Sequence, residues 1–238
     1  MSNTYFQFKQ FRIDQTHSAM KVGTDGVLLG SWASIEKSKE ILDIGCGTGL
    51  ISLMVAQRNP QAIITAIDIS ESAIKDTLLN FGASPWADRL LAQNIELSEF
   101  AISTNKRFAH IVCNPPFFNR SLKSESQAKN NARHDDSLPF DKLFEYASKL
   151  LSNDGLLSII IPSDRKEESI KIASAHNLFL QLATNVYPKL ESEAPKRALL
   201  EFGLSENELK SSNLYIEKER HVYTDDYKYL TKAFYLSM

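Results

Sequence analysis

The sequence has little cysteine, no long apolar run and no excess of charge of either sign, and each shortage excludes a class of protein. Two cysteines in 238 residues, Cys46 and Cys113, cannot supply a disulfide scaffold. Their wide separation also lacks the paired spacing of a structural zinc site, so no metal is expected. They read as reduced, small, half-buried residues. No apolar stretch approaches the ~20 residues that span a bilayer, so no membrane partner is expected. Residues 1–15 are polar and aromatic, with no apolar core behind a basic stretch, and a cytoplasmic location is expected. Lys+Arg 27 against Asp+Glu 29 leaves a net charge of −2, so any nucleic-acid contact has to come from a local patch. What is present, 43% hydrophobic and 24% charged residues, is the composition of a folded globular chain. At ~150 residues per domain the length fits one large domain. Such a domain buries roughly 70% of its unfolded surface and needs no staple. A monomer is expected.

Apolar runs bounded by turn residues alternate with helical patterns, which predicts a parallel sheet with crossover helices. Strands are expected at 40–44, 62–69, 89–95, 108–113 and 156–161. Helices are expected from Leu50 to the stop at Asn59-Pro60, from the Ser70 cap to Phe81 and Gly82, over 138–151, and over 167–176. Asp154-Gly155 reads as the turn into the fifth strand. Two further strand-like runs, 179–187 and 198–204, have no helix between them and should form an antiparallel hairpin at the sheet edge. The expected fold is α/β: a doubly wound, seven-stranded, mostly parallel sheet with an antiparallel edge hairpin. Residues 119–136 are long, polar and irregular, as functional loops often are.

The first chemical signal is Asp43-Ile44-Gly45-Cys46-Gly47-Thr48-Gly49 between a strand and a helix. Gly45, Gly47 and Gly49 let the backbone pass close under a ligand and take positive φ. Leu50 breaks the dinucleotide fingerprint, and the Lys-Ser/Thr of a phosphate-binding Walker loop is absent. What remains resembles motif I of the S-adenosylmethionine-dependent methyltransferases. Asp68 ends the second strand 19 residues after Gly49, where a carboxylate can accept both ribose hydroxyls. Taken without that resemblance, the run is a tight strand-to-helix turn and Asp68 a helix-capping acid.

The second signal is Asn114-Pro115-Pro116-Phe117, directly after the fourth strand. It resembles the catalytic tetrapeptide of methyltransferases that alkylate a planar nitrogen, either an exocyclic base amine or an amide. Such a nitrogen is a poor nucleophile because its lone pair is delocalised. The Asn114 side-chain oxygen and the Pro115 carbonyl can each accept one N–H, and both bonds strengthen as the nitrogen becomes tetrahedral and positive. Pro115 and Pro116 hold those acceptors in place beforehand. Phe117 can stack on the planar substrate, and Phe118 is a second stacking candidate with a core-packing alternative.

A third block, Met20 to Gly30, is Gly-rich and then apolar. It reads either as a capped surface helix or as a loop laid over the cofactor's amino-acid end, with Lys21 and Thr24 as contacts. With Phe8-Lys9-Gln10-Phe11, Arg197 to Phe202 and the tail Tyr229 to Leu236, these segments resemble the bacterial tRNA(Val) adenine-37 N6-methyltransferase family over nearly the whole length. The resemblance implies a Rossmann-like class I methyltransferase fold, S-adenosylmethionine as cofactor, and tRNA at its anticodon stem-loop as partner. It implies one domain over 1–238: a cofactor-covering segment (1–38), a catalytic core (39–204) and a C-terminal extension (205–238).

One departure concerns the third strand, whose end often carries an acid beside the cofactor adenine. Here Asn94 stands there, able to accept from an adenine amine but without the charge. The phosphate contacts are expected from Arg120, Lys123, Lys129, Arg133 and His134, with Lys9, Arg12 and Lys21 across the site. Two rivals keep the fold: a protein glutamine N5-methyltransferase acting on release factors and an rRNA guanine N2-methyltransferase, both of which commonly carry a second domain. A third reading is a non-catalytic cofactor- or RNA-binding protein, against which the intact Asn114, Pro115 and Pro116 argue.

Overall fold

The computed structural model describes residues 3–18, 21–116 and 138–237. The chain opens with a hairpin of two three-residue strands, β1 (Tyr5–Gln7) and β2 (Arg12–Asp14), followed by helix α1 (Thr24–Trp32). The alternating core follows: β3 (Glu40–Ile44), α2 (Leu50–Arg58), β4 (Ile63–Asp68), α3 (Glu71–Gly82), β5 (Leu90–Asn94), α4 (Leu97–Ser103) and β6 (Phe108–Cys113). Then come α5 (Phe140–Leu150), β7 (Leu151–Pro162), α6 (Lys166–Ala175), β8 (Phe179–Lys189) and β9 (Arg197–Gly203). The C-terminal part supplies β10 (Lys210–Glu219), β11 (Val222–Tyr223) and α7 (Asp225–Thr231).

The main sheet has nine strands in the order β11-β10-β8-β9-β7-β6-β3-β4-β5. Within it the seven expected strands keep a doubly wound arrangement: β3 through β7 pair in parallel, and β9 enters antiparallel between β7 and β8. The expected hairpin closes that seven-strand core, and β10 continues the sheet beyond it by pairing in parallel with β8. Central strands such as β3 are buried on both faces, which explains their nearly unbroken apolar reading. One face packs with α1, α2 and α3 through Leu28, Leu53 and Ile74. The other packs with α4, α5 and α6 through Phe100, Phe144 and Ala173.

Besides the two strands added beyond the expected edge hairpin, three features depart from the sequence reading. Asp154-Gly155 is an excursion inside a continuous β7: Phe108 pairs with Leu151 and His110 with Leu156, so two steps on β6 span five on β7. Gly155 is needed there because a Cβ would stand 2.8 Å from the Phe108 carbonyl. Helix α4 fills the connection between β5 and β6, which carried no expected element. The N-terminal hairpin joins the C-terminal tail, with Lys9 N–H donating to the Phe234 carbonyl at 2.8 Å and the Phe8 ring stacked 5.9 Å from that of Tyr235.

The sheet interior also holds a polar chain. His110 Nε2 and Ser158 Oγ lie 2.8 Å apart, and Ser158 Oγ donates to Glu201 Oε2 at 2.8 Å. Burial, and secondarily the Arg58 charge, pushes the His110 imidazole down to about 3, so it is held neutral.

Candidate active site

Sheet register brings the sequence candidates into one row. Ile44 pairs with Ile67 and with Cys113, and Asp68 pairs with Asn94. One residue beyond Ile44, Gly45 stands level with Asp68 and with Asn114. Asn94, Asp68, Gly45 and Asn114 thus line the carboxyl edge of β5, β4, β3 and β6 in that order. At ~4.8 Å per strand the row is about 14 Å long, and this edge is where open α/β sheets take ligands.

The glycine loop sits at the centre of the row. Gly45, Gly47 and Gly49 have φ of 70°, 58° and 76°, a region L side chains rarely adopt. A Cβ added at Gly45 or Gly47 would meet nothing within 4 Å, whereas at Gly49 it would stand 2.7 Å from Phe81 Cε1 and 3.1 Å from Thr77 Cγ2. Gly49 therefore serves the close packing of α3 on the loop, and Gly45 and Gly47 front the open space where a ligand can lie against backbone.

Two polar side chains, Asp68 and Asn94, flank that space, and a third, Asp43, is buried just before the glycine loop. Asp68 is oriented by two backbone donors: Gly47 N–H gives to Oδ2 at 2.9 Å and Ser70 N–H to Oδ1 at 2.8 Å. Each oxygen keeps a lone pair for a hydroxyl donor. The exposed Asn94 commits its Nδ2 to the Asp68 carbonyl at 2.9 Å, which leaves Oδ1 as the atom that can accept from an adenine amine. Asp43 is fully buried; its Oδ2 accepts the Ser52 N–H at 3.1 Å and the Ser52 hydroxyl at 2.7 Å, while Oδ1 has no partner. Burial pushes this carboxyl up to about 7, against the two Ser52 bonds, and the Asp68 charge adds to the rise.

At the other end of the row, Asn114 follows β6, and its buried Oδ1 also lacks a hydrogen-bond partner. Pro115, buried, and Pro116, half-buried, fix the backbone after it. An unpaired buried acceptor costs about 1–3 kcal/mol, so Asn114 Oδ1 gains by accepting a hydrogen bond from whatever donor enters beside it. Phe117, Phe118 and the basic positions Arg120, Lys123, Lys129, Arg133 and His134 lie outside the described residues. Cys46 and Cys113 are free and buried beside the row, and burial pushes both thiols well up.

The N-terminal candidates lie on a different support. Lys21 donates its amine to the Gln15 carbonyl, and Thr24 is the exposed first residue of α1. Beside Thr24, Asp25 accepts Arg197 Nε at 2.8 Å, tying the start of α1 to the start of β9. The sequence reading missed Ser52, which holds Asp43, and Asp76, Thr77 and Asn80, which hold the glycine loop and the N-terminal segment. Among the described residues no three His, Cys, Asp or Glu side chains group as a metal site, and no helix is long and apolar enough to cross a membrane.

The open cradle over Gly45 and Gly47, the oriented Asp68 and the unpartnered Asp43 Oδ1 fit S-adenosylmethionine, whose two cations and ribose call for acceptors. Residues 16–185 match the Methyltransferase small domain family. A tRNA1(Val) (adenine(37)-N6)-methyltransferase of Phocaeicola vulgatus is 48% identical over 238 residues, covering 100% of both chains. One from Flavobacterium psychrophilum is 45% identical over 98% of this chain and 100% of its own. A solved structure from Agrobacterium tumefaciens, titled a predicted O-methyltransferase, superposes with a TM-score of 0.70 over 88% of this chain and 96% of its own. At 20% identity that likeness speaks for the fold alone. The chain is a member of the methyltransferase small-domain family and, within it, of the tRNA1(Val) (adenine(37)-N6)-methyltransferase family.

Proposed function

We propose that this chain methylates the exocyclic N6 amine of adenosine in tRNA, at position 37 of tRNA1(Val), with S-adenosylmethionine as methyl donor. The observation that carries the reading is the buried, unpartnered Asn114 Oδ1 at the end of β6, in the same row as the glycine loop.

When bound, S-adenosylmethionine supplies a methyl group on a sulfonium, a leaving group that calls for no covalent enzyme intermediate. Asp68 and Asn94 would hold its ribose and adenine, and Asp43 would offset its positive charge. Asn114 Oδ1 and the Pro115 carbonyl each accept one N–H of the adenosine amine and pull it out of conjugation with the ring. Both bonds gain strength as the nitrogen turns tetrahedral and positive, so they stabilise the transition state more than the ground state. The methylated nitrogen is acidic and gives its surplus proton to water without a dedicated base. Phe117 is the residue this reading assigns to stacking on the adenine. Taking the base out of the anticodon-loop stack costs a few kcal/mol, less than extrusion from a duplex.

The test is transfer of labelled methyl from S-adenosylmethionine to total unmodified tRNA, followed by nucleoside analysis. Label in N6-methyladenosine of a valine tRNA is the expected result. Label in release factor and none in RNA would keep the chemistry of Asn114 and overturn the substrate.

A further inference from the structure

Helix α3 buries a mixed face, with three polar side chains beside Ala73, Ile74 and Phe81. Leu78 and Leu79 are 54% and 57% exposed, while Asp76 and Thr77 are fully buried and Asn80 is 3% exposed. An amphipathic helix ordinarily buries the leucines, and burying three polar side chains is costly unless each is fully bonded. Here they are, and their bonds run to two separate parts of the chain.

One set goes to the glycine loop. The Thr77 hydroxyl donates to the Gly47 carbonyl at 2.8 Å, and Asn80 Nδ2 donates to the Thr48 carbonyl at 2.9 Å. The other set goes to the N-terminal segment. Asn80 Oδ1 accepts the Asp14 N–H at 2.7 Å, and Nδ2 returns a bond to the Asp14 carbonyl at 2.8 Å. The Asp76 carboxylate accepts the backbone N–H of Ser18 at 2.7 Å and of His17 at 3.0 Å, with His17 Nδ1 at 2.7 Å. From there Gln15 carries the support onward: its Oε1 accepts the Val22 N–H at 2.8 Å, and its carbonyl accepts the Lys21 amine.

We propose that Asp76, Thr77 and Asn80 are positioning residues that lock residues 14–18 and the glycine loop to one bracket, so that cofactor binding and docking of the N-terminal segment are energetically coupled. Asn80 is the pivot, because a single side-chain amide bonds Thr48 of the loop and Asp14 of the segment. The same helix begins at Ser70, whose N–H fixes the Asp68 carboxylate. One rigid element therefore sets the ribose acceptor, the loop and the segment that leads to α1. A ligand that orders the loop lowers the cost of ordering residues 14–18, and by linkage the reverse holds equally.

The proposal rests on the cofactor reading above, and its test separates the two. Calorimetry with S-adenosylhomocysteine measures binding, and hydrogen exchange on the intact chain, with and without that compound, measures the segment. In the wild-type protein the compound should bind and slow exchange at the Asp14, His17 and Ser18 amides by about tenfold, a typical coupling factor. Two near-isosteric variants remove the bonds to the loop: Thr77→Val, which touches the loop alone, and Asn80→Asp, which keeps the acceptor for Asp14 N–H and also gives up the bond to the Asp14 carbonyl. Together they should weaken binding about tenfold and abolish the ligand-dependent slowing. Binding to the wild-type protein with unchanged exchange at residues 14–18 overturns the coupling and spares the cofactor reading, whether or not the variants fold. Absence of binding overturns both. Variants that melt earlier but keep the ligand-dependent slowing would show a merely structural role and overturn the proposal.

Discussion

With Asp43 in the cofactor role proposed above, its carboxyl should make cofactor binding depend on pH, with a magnitude set by its burial. Its folded value of about 7 stands above the ordinary 3.8. Between those values the unfolded chain has lost the proton and the folded chain keeps it, so stability falls as pH rises through the window. At 1.36 kcal/mol per unit the cost reaches roughly 4 kcal/mol at pH 7 and above. Cations bound over the glycine loop favour the ionised carboxylate, so binding below pH 7 expels a proton. From the fraction ionised, S-adenosylmethionine should bind about eightfold more tightly at pH 7.5 than at pH 6.0. Titration calorimetry in two buffers of different ionisation enthalpy reads both the affinity and the proton released. Asp43→Asn should flatten the profile, bind more weakly at pH 7.5, and leave the unliganded chain more heat-stable than wild type at pH 8 but not at pH 4. An affinity constant between pH 6.0 and 7.5, with no proton released, would refute the reasoning.

The loop glycines should separate by what faces them. Gly45→Ala, with open space around its Cβ, should cost about 1 kcal/mol of stability but weaken cofactor binding, whereas Gly49→Ala adds a clash with Phe81 and should cost several, as read by urea melts and calorimetry. His110 opposes Asp43: held neutral to about 3, it withdraws stability as pH falls from 6.5. Wild-type stability should therefore change little toward pH 4.5, while Asp43→Asn exposes a loss of roughly 3 kcal/mol in urea melts. Phe8→Ala, which empties a fully buried ring site between Phe11 and Tyr235, should cost about 3–5 kcal/mol and free the C-terminal tail to limited proteolysis.

The candidate site was legible in the sequence where it is contiguous. The glycine loop and Asn114-Pro115-Pro116 each follow a short apolar strand, and turn and proline chemistry announce themselves locally. Sheet register then supplied the row that no spacing rule contains. What stayed hidden is held by long-range contacts. Strand β10 buries little beyond Leu214 and exists through its pairing with β8. The hairpin strands are three residues each and are fixed by packing on the distant tail. On α3, periodicity points to Leu78 and Leu79, while the structure exposes both and buries Asp76, Thr77 and Asn80 beside Ile74 and Phe81. Where a local rule fails, a functional constraint is the first place to look.

The central claim is that Asn114 Oδ1 binds the target amine more strongly in the transition state than in the ground state. Single-turnover methyl transfer to an unmodified valine tRNA transcript, comparing wild type with Asn114→Ala, tests it most directly. The account predicts label in N6-methyladenosine at position 37, a rate reduced by roughly tenfold to a thousandfold in the variant, and unchanged cofactor affinity. A variant that transfers methyl at the wild-type rate would contradict it.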